Sequence, residues 1–179
     1  MWLIVGIGNP GKKYSRTRHN LGARVVRALR ETLRQPAFRL SRELRAWIST
    51  GTHALAIPTT FMNESGVAAQ SLMKKYRISP DHLLLVHDDK DLAFSTRKLQ
   101  KNRSSAGHRG VQSVINAIGT KNFWRLRLGI GAPSTNEATD AYVLQPFSDS
   151  EEKKLTQMTR EAVEMLQQQC SGHSTERNG

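Results

Sequence analysis

The alternation of strand-like and helix-like segments constrains the fold of this chain more than any other feature. Short apolar runs and alternating patterns predict strands at residues 2–8, 45–49, 54–57, 82–87 and 125–131. Apolar residues at helical spacing predict helices at residues 21–33, 65–76 and 111–118. A last helix, reaching about residue 169, begins with a capping box formed by Ser148 and Glu151. This order predicts an α/β sandwich with helices on both faces of one sheet.

Length and composition favour one compact domain spanning residues 1–179, because 179 residues with 37% hydrophobic content can bury one substantial core. The polar residues from about 171 to 179 are expected to form a frayed tail. The single cysteine, Cys170, cannot form a disulfide within the chain. No basic segment precedes an apolar stretch at the N-terminus, and no apolar run approaches the ~20 residues that span a bilayer. We therefore expect a soluble, cytoplasmic protein that does not bind membranes.

The charge of the chain is both large and unevenly distributed. It contains 27 Lys and Arg residues against 15 Asp and Glu residues, for a net charge of +12. Residues 1–30 and 92–128 contain many cations and no acidic residue. Such asymmetry favours a face that binds a polyanion, with nucleic acid as the first candidate. The competing interpretation is a generally basic surface without a specific partner.

Three glycines near the N-terminus have the spacing of a dinucleotide-binding turn: Gly6, Gly8 and Gly11. That turn requires a helix that begins at the glycines and an acidic residue about 20 positions later. Pro10 disfavours helical geometry at Asn9, and the residues that follow lack an apolar helical period. The first acidic residue, Glu31, lies inside a predicted helix. The glycines therefore favour a loop that presents Asn9 and His19 over a nucleotide site.

The sequence does not favour nucleophilic catalysis, because it has no G-x-S-x-G elbow and Cys170 lies near the end of the last helix. A metal site is an alternative, since several possible ligands are close in sequence: His82, His87, Asp88, Asp89 and Asp91. Neighbours on a continuing strand point to opposite faces, which favours a solvated acidic loop over a metal site here. We therefore predict no metal.

A histidine paired with a carboxylate can activate water, because the acid orients the imidazole and stabilises its cationic form. His19 precedes a predicted helix and is the best candidate base, with Asp88, at the end of a strand, as its partner. An ordinary surface histidine is the competing interpretation. Asn9 and Asn63 also follow strand-like segments, at the sheet edge where α/β sites gather, and their amides can both donate and accept.

Five segments, in order along the chain, resemble the successive motifs of bacterial peptidyl-tRNA hydrolases: GIGNPGKKYSRTRHNLG, PTTFMNESG, VHDDKDL, SSAGHRGVQSVI and FWRLRLGIGAP followed by AYVLQPFS. The resemblance runs from Met1 to about Ser148. It implies a monomeric, single-domain α/β sandwich with a central mixed, twisted sheet. It also implies hydrolysis, without a cofactor, of the ester between a peptide and the terminal ribose of tRNA. The implied partner is peptidyl-tRNA, contacted at its acceptor stem and 3′ end, with no obligate protein partner.

The resemblance assigns roles to particular residues. The catalytic histidine of the family matches His19, the aspartate that supports it matches Asp88, and the asparagine that distinguishes N-blocked from free aminoacyl-tRNA matches Asn9. Asn63 or a backbone amide would donate to the developing oxyanion. The other matched positions are substrate contacts at Tyr14, Phe61 and Asn63, with Met62 adjoining them. The tRNA phosphate contact of the family matches Arg127, and the lysine that accompanies it aligns near Gln100 and Lys101.

One position departs from the family pattern. The loop before the third main helix usually reads G-H-N-G, whereas this chain has Arg109 in place of the asparagine. This substitution keeps open a non-catalytic, splicing-factor-like RNA-binding relative. An RNA phosphodiesterase would need an acid and a base, or metals, around a phosphate. The presence of His19, Asp88 and both asparagines favours the hydrolase.

Overall fold

The structure, a computed structural model, describes residues 1–133 and 137–172. In this part of the chain the strands are β1 Leu3–Gly6, β2 Arg39–Ser41, β3 Ala46–Thr50, β4 Ala54–Pro58, β5 Leu83–Asp89, β6 Arg97–Lys101 and β7 Trp124–Gly129. The α-helices are α1 Leu21–Thr32, α2 Ser65–Tyr76, α3 Arg109–Ile118, α4 Thr139–Val143 and α5 Asp149–Gly172. Short 3₁₀ turns, among them Arg18–Asn20 and Met62–Glu64, connect strands to helices.

The strands form one mixed sheet in the order β2-β3-β4-β1-β5-β7-β6. The central strands β4, β1, β5 and β7 are parallel, and the outer strands pair antiparallel to their neighbours. Every residue of β1, β4 and β5 is buried, as expected for parallel strands covered on both faces. The carboxyl ends of the parallel strands therefore share one edge of the sheet, which we call the carboxyl edge.

Helices cover both faces of the sheet. On one face α1 and α5 pack over the strands, and their buried side chains include Val25, Leu29 and Leu166. On the other face α2 and α3 do so, with Leu72 and Val114 in the core. The predicted α/β sandwich with a central mixed sheet is therefore confirmed.

The N-terminal glycines serve packing and turn geometry. A Cβ on Gly22 would lie 2.1 Å from the carbonyl oxygen of Val86, and one on Gly6 would lie 2.4 Å from that of Gly22. Helix α1 thus packs directly against β1 and β5. Gly11 has a φ of 101°, which other residues rarely adopt, and α1 begins only at Leu21. The glycines consequently do not open a helix, as a dinucleotide fold would require.

Three elements lie outside the sequence prediction: β2, β6 and α4. Strand β6, with the sequence RKLQK, is a basic edge strand without the apolar alternation that marks a half-buried strand. Strand β2 has 3 residues and α4 has 5, too few for a periodic pattern to be recognised.

The start of α5 follows the prediction. Glu151 donates its backbone N–H to the Ser148 hydroxyl over 3.3 Å, and Ser148 donates its own to the Glu151 carboxylate over 2.8 Å, which confirms the capping box. The helix continues to Gly172, slightly beyond the predicted end, and the rest of the predicted tail, residues 173–179, lies outside the described residues. None of the described helices is both long and apolar enough to cross a membrane.

Candidate active site

The candidate site lies at the carboxyl edge, where the turn before α1 meets the end of β5. His19 belongs to the 3₁₀ turn Arg18–Asn20, and Asp88 is the sixth residue of β5. The neighbouring Arg18 is buried, donates to both carboxylate oxygens of Glu151 over 2.9 and 3.0 Å, and stacks on the Tyr142 ring. These contacts attach the turn to α4 and α5 and so position His19.

The structure brings His19 and Asp88 into direct contact. His19 Nδ1 lies 2.9 and 3.0 Å from the two carboxylate oxygens, and the carboxylate is only 2% exposed. A hydrogen bond from Nδ1 to the carboxylate assigns the proton to that nitrogen and leaves Nε2 as an acceptor. The His19 side chain is 12% exposed and lines an open pocket, so Nε2 is the group available to take a proton from water.

His108 is a second histidine on the same carboxylate, and the sequence analysis did not select it. Its Nδ1 accepts the N–H groups of Gly110 and Val111 over 3.1 and 3.3 Å, and so caps α3. An Nδ1 that accepts leaves the proton on Nε2, which lies 3.0 Å from Asp88 Oδ1 and donates to it. His108 lies three residues before the predicted helix 111–118, and this position near a helix start is the sequence signal that could have identified it.

The electrostatics of the site keep Asp88 ionised. Burial by itself raises the pKa of Asp88, but the charges and hydrogen bonds of His19 and His108 outweigh it and hold the pKa well below its usual range. His87, which is buried with its ring centroid 4.9 Å from that of His108, differs: burial and the neighbouring His108 lower its pKa to about 3. His87 is therefore neutral near pH 7 and donates from Nδ1 to the carbonyl oxygen of Asp88 over 2.7 Å.

The cluster of His19, Asp88 and His108 bears on the prediction that the protein has no metal site. Donor atoms of His19, Asp88 and His108 lie within 4.8 Å of one another, which is close enough for a cation. A cation there would compete with the hydrogen bond between His19 and Asp88. Of the alternative ligands from sequence, His82 stacks on Trp2 near the amino end of the sheet, away from this cluster. The absence of a metal remains a prediction.

Asn9 is held in position by its neighbours. Its Oδ1 accepts the N–H of Met62 over 2.9 Å, while its backbone exchanges two hydrogen bonds of 2.9 Å with the side chain of Asn20. Asn20, the residue after His19, was not singled out from sequence. Since the Asn9 oxygen is engaged, its Nδ2 amide is the group that can donate to a ligand.

The 3₁₀ turn that carries Asn63 packs against the start of α3. A Cβ on Gly110 would lie 2.3 Å from the sulfur of Met62, which is buried. As a result, Asn63 and Arg109 line one shallow pocket beside the His19 pocket, and Phe61 is 53% exposed next to them. Arg109 donates to Asp140 over 2.5 Å, with both side chains about two-thirds exposed.

The remaining predicted contacts are more dispersed. Tyr14 is half-buried in a turn between Gly11 and His19, with the Lys13 ammonium 4.8 Å from its ring. Arg127 donates to Asp89 and to Gln100, each over 2.6 Å, and is 13% exposed. Lys101 pairs with Asp81 over 2.7 Å at the opposite edge of the sheet. The structure therefore does not bring Lys101 to the candidate site.

The double role of His108 can be separated by two substitutions. Asparagine also caps helices but is too short to reproduce the contact with Asp88, so His108→Asn should keep the fold stability. His108→Ala loses both contacts and should also lose about 1 kcal/mol of unfolding free energy. Both variants lose the hydrogen bond that helps to fix Asp88 against His19. A hydrogen bond to a charged group contributes ~1.5–3 kcal/mol, so we expect kcat to fall by on the order of tenfold in both. Thermal unfolding and steady-state kinetics measure the two effects, and a normal kcat in His108→Asn would reduce His108 to a helix cap.

Comparison with known proteins identifies the family. The family model described as peptidyl-tRNA hydrolase matches residues 3–178. The peptidyl-tRNA hydrolase of Aquifex aeolicus is 46% identical over 167 residues, covering 92% of this chain and 87% of that protein. That of Persephonella marina is 42% identical over 150 residues, covering 83% and 79%.

A solved structure gives the same result. The crystal structure of peptidyl-tRNA hydrolase from Acinetobacter baumannii superposes with a TM-score of 0.90 at 28% identity, covering 97% of this chain and 90% of that one. The resemblance seen in the motifs is thereby confirmed over nearly the whole chain. The mixed sheet, the helices on both faces and the sequence relationship agree, and the chain belongs to the peptidyl-tRNA hydrolase family.

Proposed function

We propose that this protein hydrolyses the ester bond between a peptide, or an N-blocked amino acid, and tRNA, and so recycles tRNA from peptidyl-tRNA released by the ribosome. The observation that carries the proposal is the contact between His19 and Asp88, with His19 lining an open pocket. Family membership supplies the substrate class. Asp88 acts in this proposal by orienting His19 and stabilising its cationic form.

In the proposed mechanism His19 Nε2 takes a proton from a water molecule whose oxygen attacks the ester carbonyl carbon. The negative charge that develops on the carbonyl oxygen is stabilised by a hydrogen-bond donor, for which Asn63 or a backbone amide is suited. The bond to the ribose oxygen then breaks, and that oxygen receives the proton held by His19. The products are a peptide with a free carboxyl group and tRNA with a free terminal hydroxyl, and no cofactor enters the step.

The two arms of the substrate would contact different residues. Asn9 donates from Nδ2 to the acyl part, with Tyr14, Phe61 and Met62 around it. The acceptor stem and 3′ end lie across the cations of residues 92–128, where Arg127 has N–H groups beyond those bound to Asp89 and Gln100. We further propose that the protein acts as a monomer in the cytoplasm without an obligate protein partner.

The decisive experiment compares N-acetyl-aminoacyl-tRNA with free aminoacyl-tRNA as substrates of the purified protein. Release of the blocked amino acid alone is the expected result. Binding of both RNAs without release would support the non-catalytic RNA-binding alternative, which the Arg109 substitution keeps in consideration. Cleavage of the RNA chain itself would indicate a phosphodiesterase.

Arg109 is expected to contact the substrate in place of the family asparagine. Its ion pair with Asp140 is exposed, and such pairs contribute ~0–1 kcal/mol, so the guanidinium can exchange Asp140 for a phosphate. We therefore expect Arg109→Lys and Arg109→Ala both to raise KM, alanine more so, with the gap shrinking at high salt. Asp140→Asn is the matched control, because it removes the ion pair and keeps the guanidinium, and it should not raise KM. If the variants at Arg109, including Arg109→Asn, match the parent, the side chain contributes only general charge.

A further inference from the structure

A second groove lies along the carboxyl edge, on the β3 and β4 side of Asn9. It has a volume of about 270 Å³ and is lined by Asn9 at one end and Trp47 at the other; we call it the Trp47 groove. Trp47 pairs with Ile57 near the end of β4, and Asn9 follows β1, whereas Asp88 lies on β5. The strand order therefore places Asn9 between the Trp47 groove and the carboxylate that holds His19.

The Trp47 groove has a positive charge. Among the described residues that line it, three are cationic and none is acidic: Lys12, Arg24 and Arg27. Glu152 neutralises Arg24 through hydrogen bonds of 3.0 and 2.7 Å. Lys12 and Arg27 are exposed and form no ion pair with a carboxylate of residues 1–133 and 137–172. Trp47 is 39% exposed, so the groove combines two uncompensated cations with an accessible indole.

The directions in which the two arms of the substrate leave the ester follow from the same strand order. The acid-free residues 92–128 include β6 and β7, which lie on the opposite side of β5 from β1 and β4. Residues 1–30 are equally free of acidic residues, but the proposed function assigns a tRNA phosphate to Arg127 of β7 and so places the tRNA arm on that side. In this arrangement the acyl arm leaves the ester toward Asn9, and the Trp47 groove is the space that continues beyond Asn9.

The dimensions of the groove set which part of a peptide it would hold. Two strand spacings of ~4.8 Å separate β1 from β3, so the groove extends ~10 Å from Asn9. An extended chain covers ~3.3–3.6 Å per residue, so ~10 Å corresponds to about three residues. The groove is thus long enough for the residues just upstream of the esterified one.

We propose that the Trp47 groove binds the upstream residues of the peptide and favours acidic side chains there, through Lys12 and Arg27. The inference rests on the proposed function, because it takes Asn9 as a contact to the acyl part. It adds a preference within the substrate class. Peptidyl-tRNAs with acidic residues two or three positions upstream of the esterified residue are better substrates than those with basic residues there.

The test uses three N-acetylated tetrapeptidyl-tRNAs that share the tRNA and the two residues nearest the ester. The two residues farthest from the ester are both Asp, both Asn or both Lys. We expect kcat/KM to fall in that order, by on the order of tenfold between Asp and Lys at low salt, because each exposed charge contact is individually weak. In the double variant Lys12→Gln, Arg27→Gln the ratio of Asp to Lys should approach one. Lys74→Gln, which removes a cation near the end of α2, is the matched control and should keep the parent ratio.

The other outcomes are distinguishable. Equal cleavage of all three substrates by the parent overturns the groove assignment and leaves the hydrolase function intact, whereas cleavage of none overturns the function itself. Inhibition by deacylated tRNA is measured alongside. If the double variant weakens that inhibition and slows all three substrates equally, the groove holds RNA and the proposal is wrong.

Discussion

Replacing His19 with alanine should reduce ester cleavage by about 10²–10⁴-fold while leaving tRNA binding nearly unchanged. The reason is the position of Nε2: the other ring nitrogen is committed to Asp88, so this is the nitrogen that can take the proton. Because Arg18 holds the turn and Asp88 keeps its hydrogen bond from His108, removal of the ring should not unfold the protein. The measurements are single-turnover cleavage of N-acetyl-aminoacyl-tRNA and direct binding of deacylated tRNA.

Two controls distinguish a lost base from a damaged fold. His53→Ala removes a histidine in the turn before β4, near the opposite edge of the sheet, and should retain the parent rate. Imidazole added to His19→Ala should restore part of the activity, since a free base can occupy the space left by the ring. Turnover of His19→Ala close to the parent value would exclude His19 as the base.

Replacing Asp88 with asparagine should be nearly as damaging, by about 10²–10⁴-fold in kcat. The two carboxylate oxygens accept from His19 Nδ1 and His108 Nε2. An asparagine has only one oxygen, and its NH₂ group would face a ring N–H in place of the second. His19 would then favour the tautomer with the proton on Nε2, which cannot act as a base.

The pH dependence provides an independent test of the role of Asp88. Since the pKa of Asp88 is held well below its usual range, the parent carboxylate stays ionised throughout the pH range of the assay. In Asp88→Asn the negative charge that favours the imidazolium is absent, so the acid limb of the kcat/KM profile should move to lower pH. Asp81→Asn changes the same charge at the opposite edge of the sheet and should leave the profile in place. An unshifted profile with parent-like kcat in Asp88→Asn would contradict the proposed pairing.

Sequence patterns predicted most of the fold because its central strands and helices are strongly periodic or continuously apolar. The parallel strands β1, β4 and β5 are buried on both faces, and such strands contain apolar runs that are visible in the sequence, as in residues 83–86 of β5. Strand β6 was missed because it lies at an edge, where its backbone pairs with β7 alone and its side chains can be charged. The long elements could therefore be located from the local sequence pattern, whereas the short ones form through contacts with neighbouring elements.

The candidate site divides in the same way. His19 and Asp88 were predicted as a pair because each stands at an element boundary that an α/β sheet brings to one edge, and the family motifs matched them. The place of His108 was not predicted, because its contact with Asp88 depends on α3 packing against the turn at Met62. Local spacing around His108 contains no information about that packing.

What the sequence by itself determined is the position of the long strands and helices and the basic character of two segments, and it predicted His19 and Asp88 as a base and its acid. The strand order was decided only in the tertiary structure. That order places Asn9 between β4 and β5, the packing of α3 adds a second histidine to Asp88, and the antiparallel direction of β6 puts Lys101 at the opposite edge. The physical reason is that helix packing and strand pairing minimise exposed apolar area over the whole chain, and polar side chains take the positions which that packing leaves them.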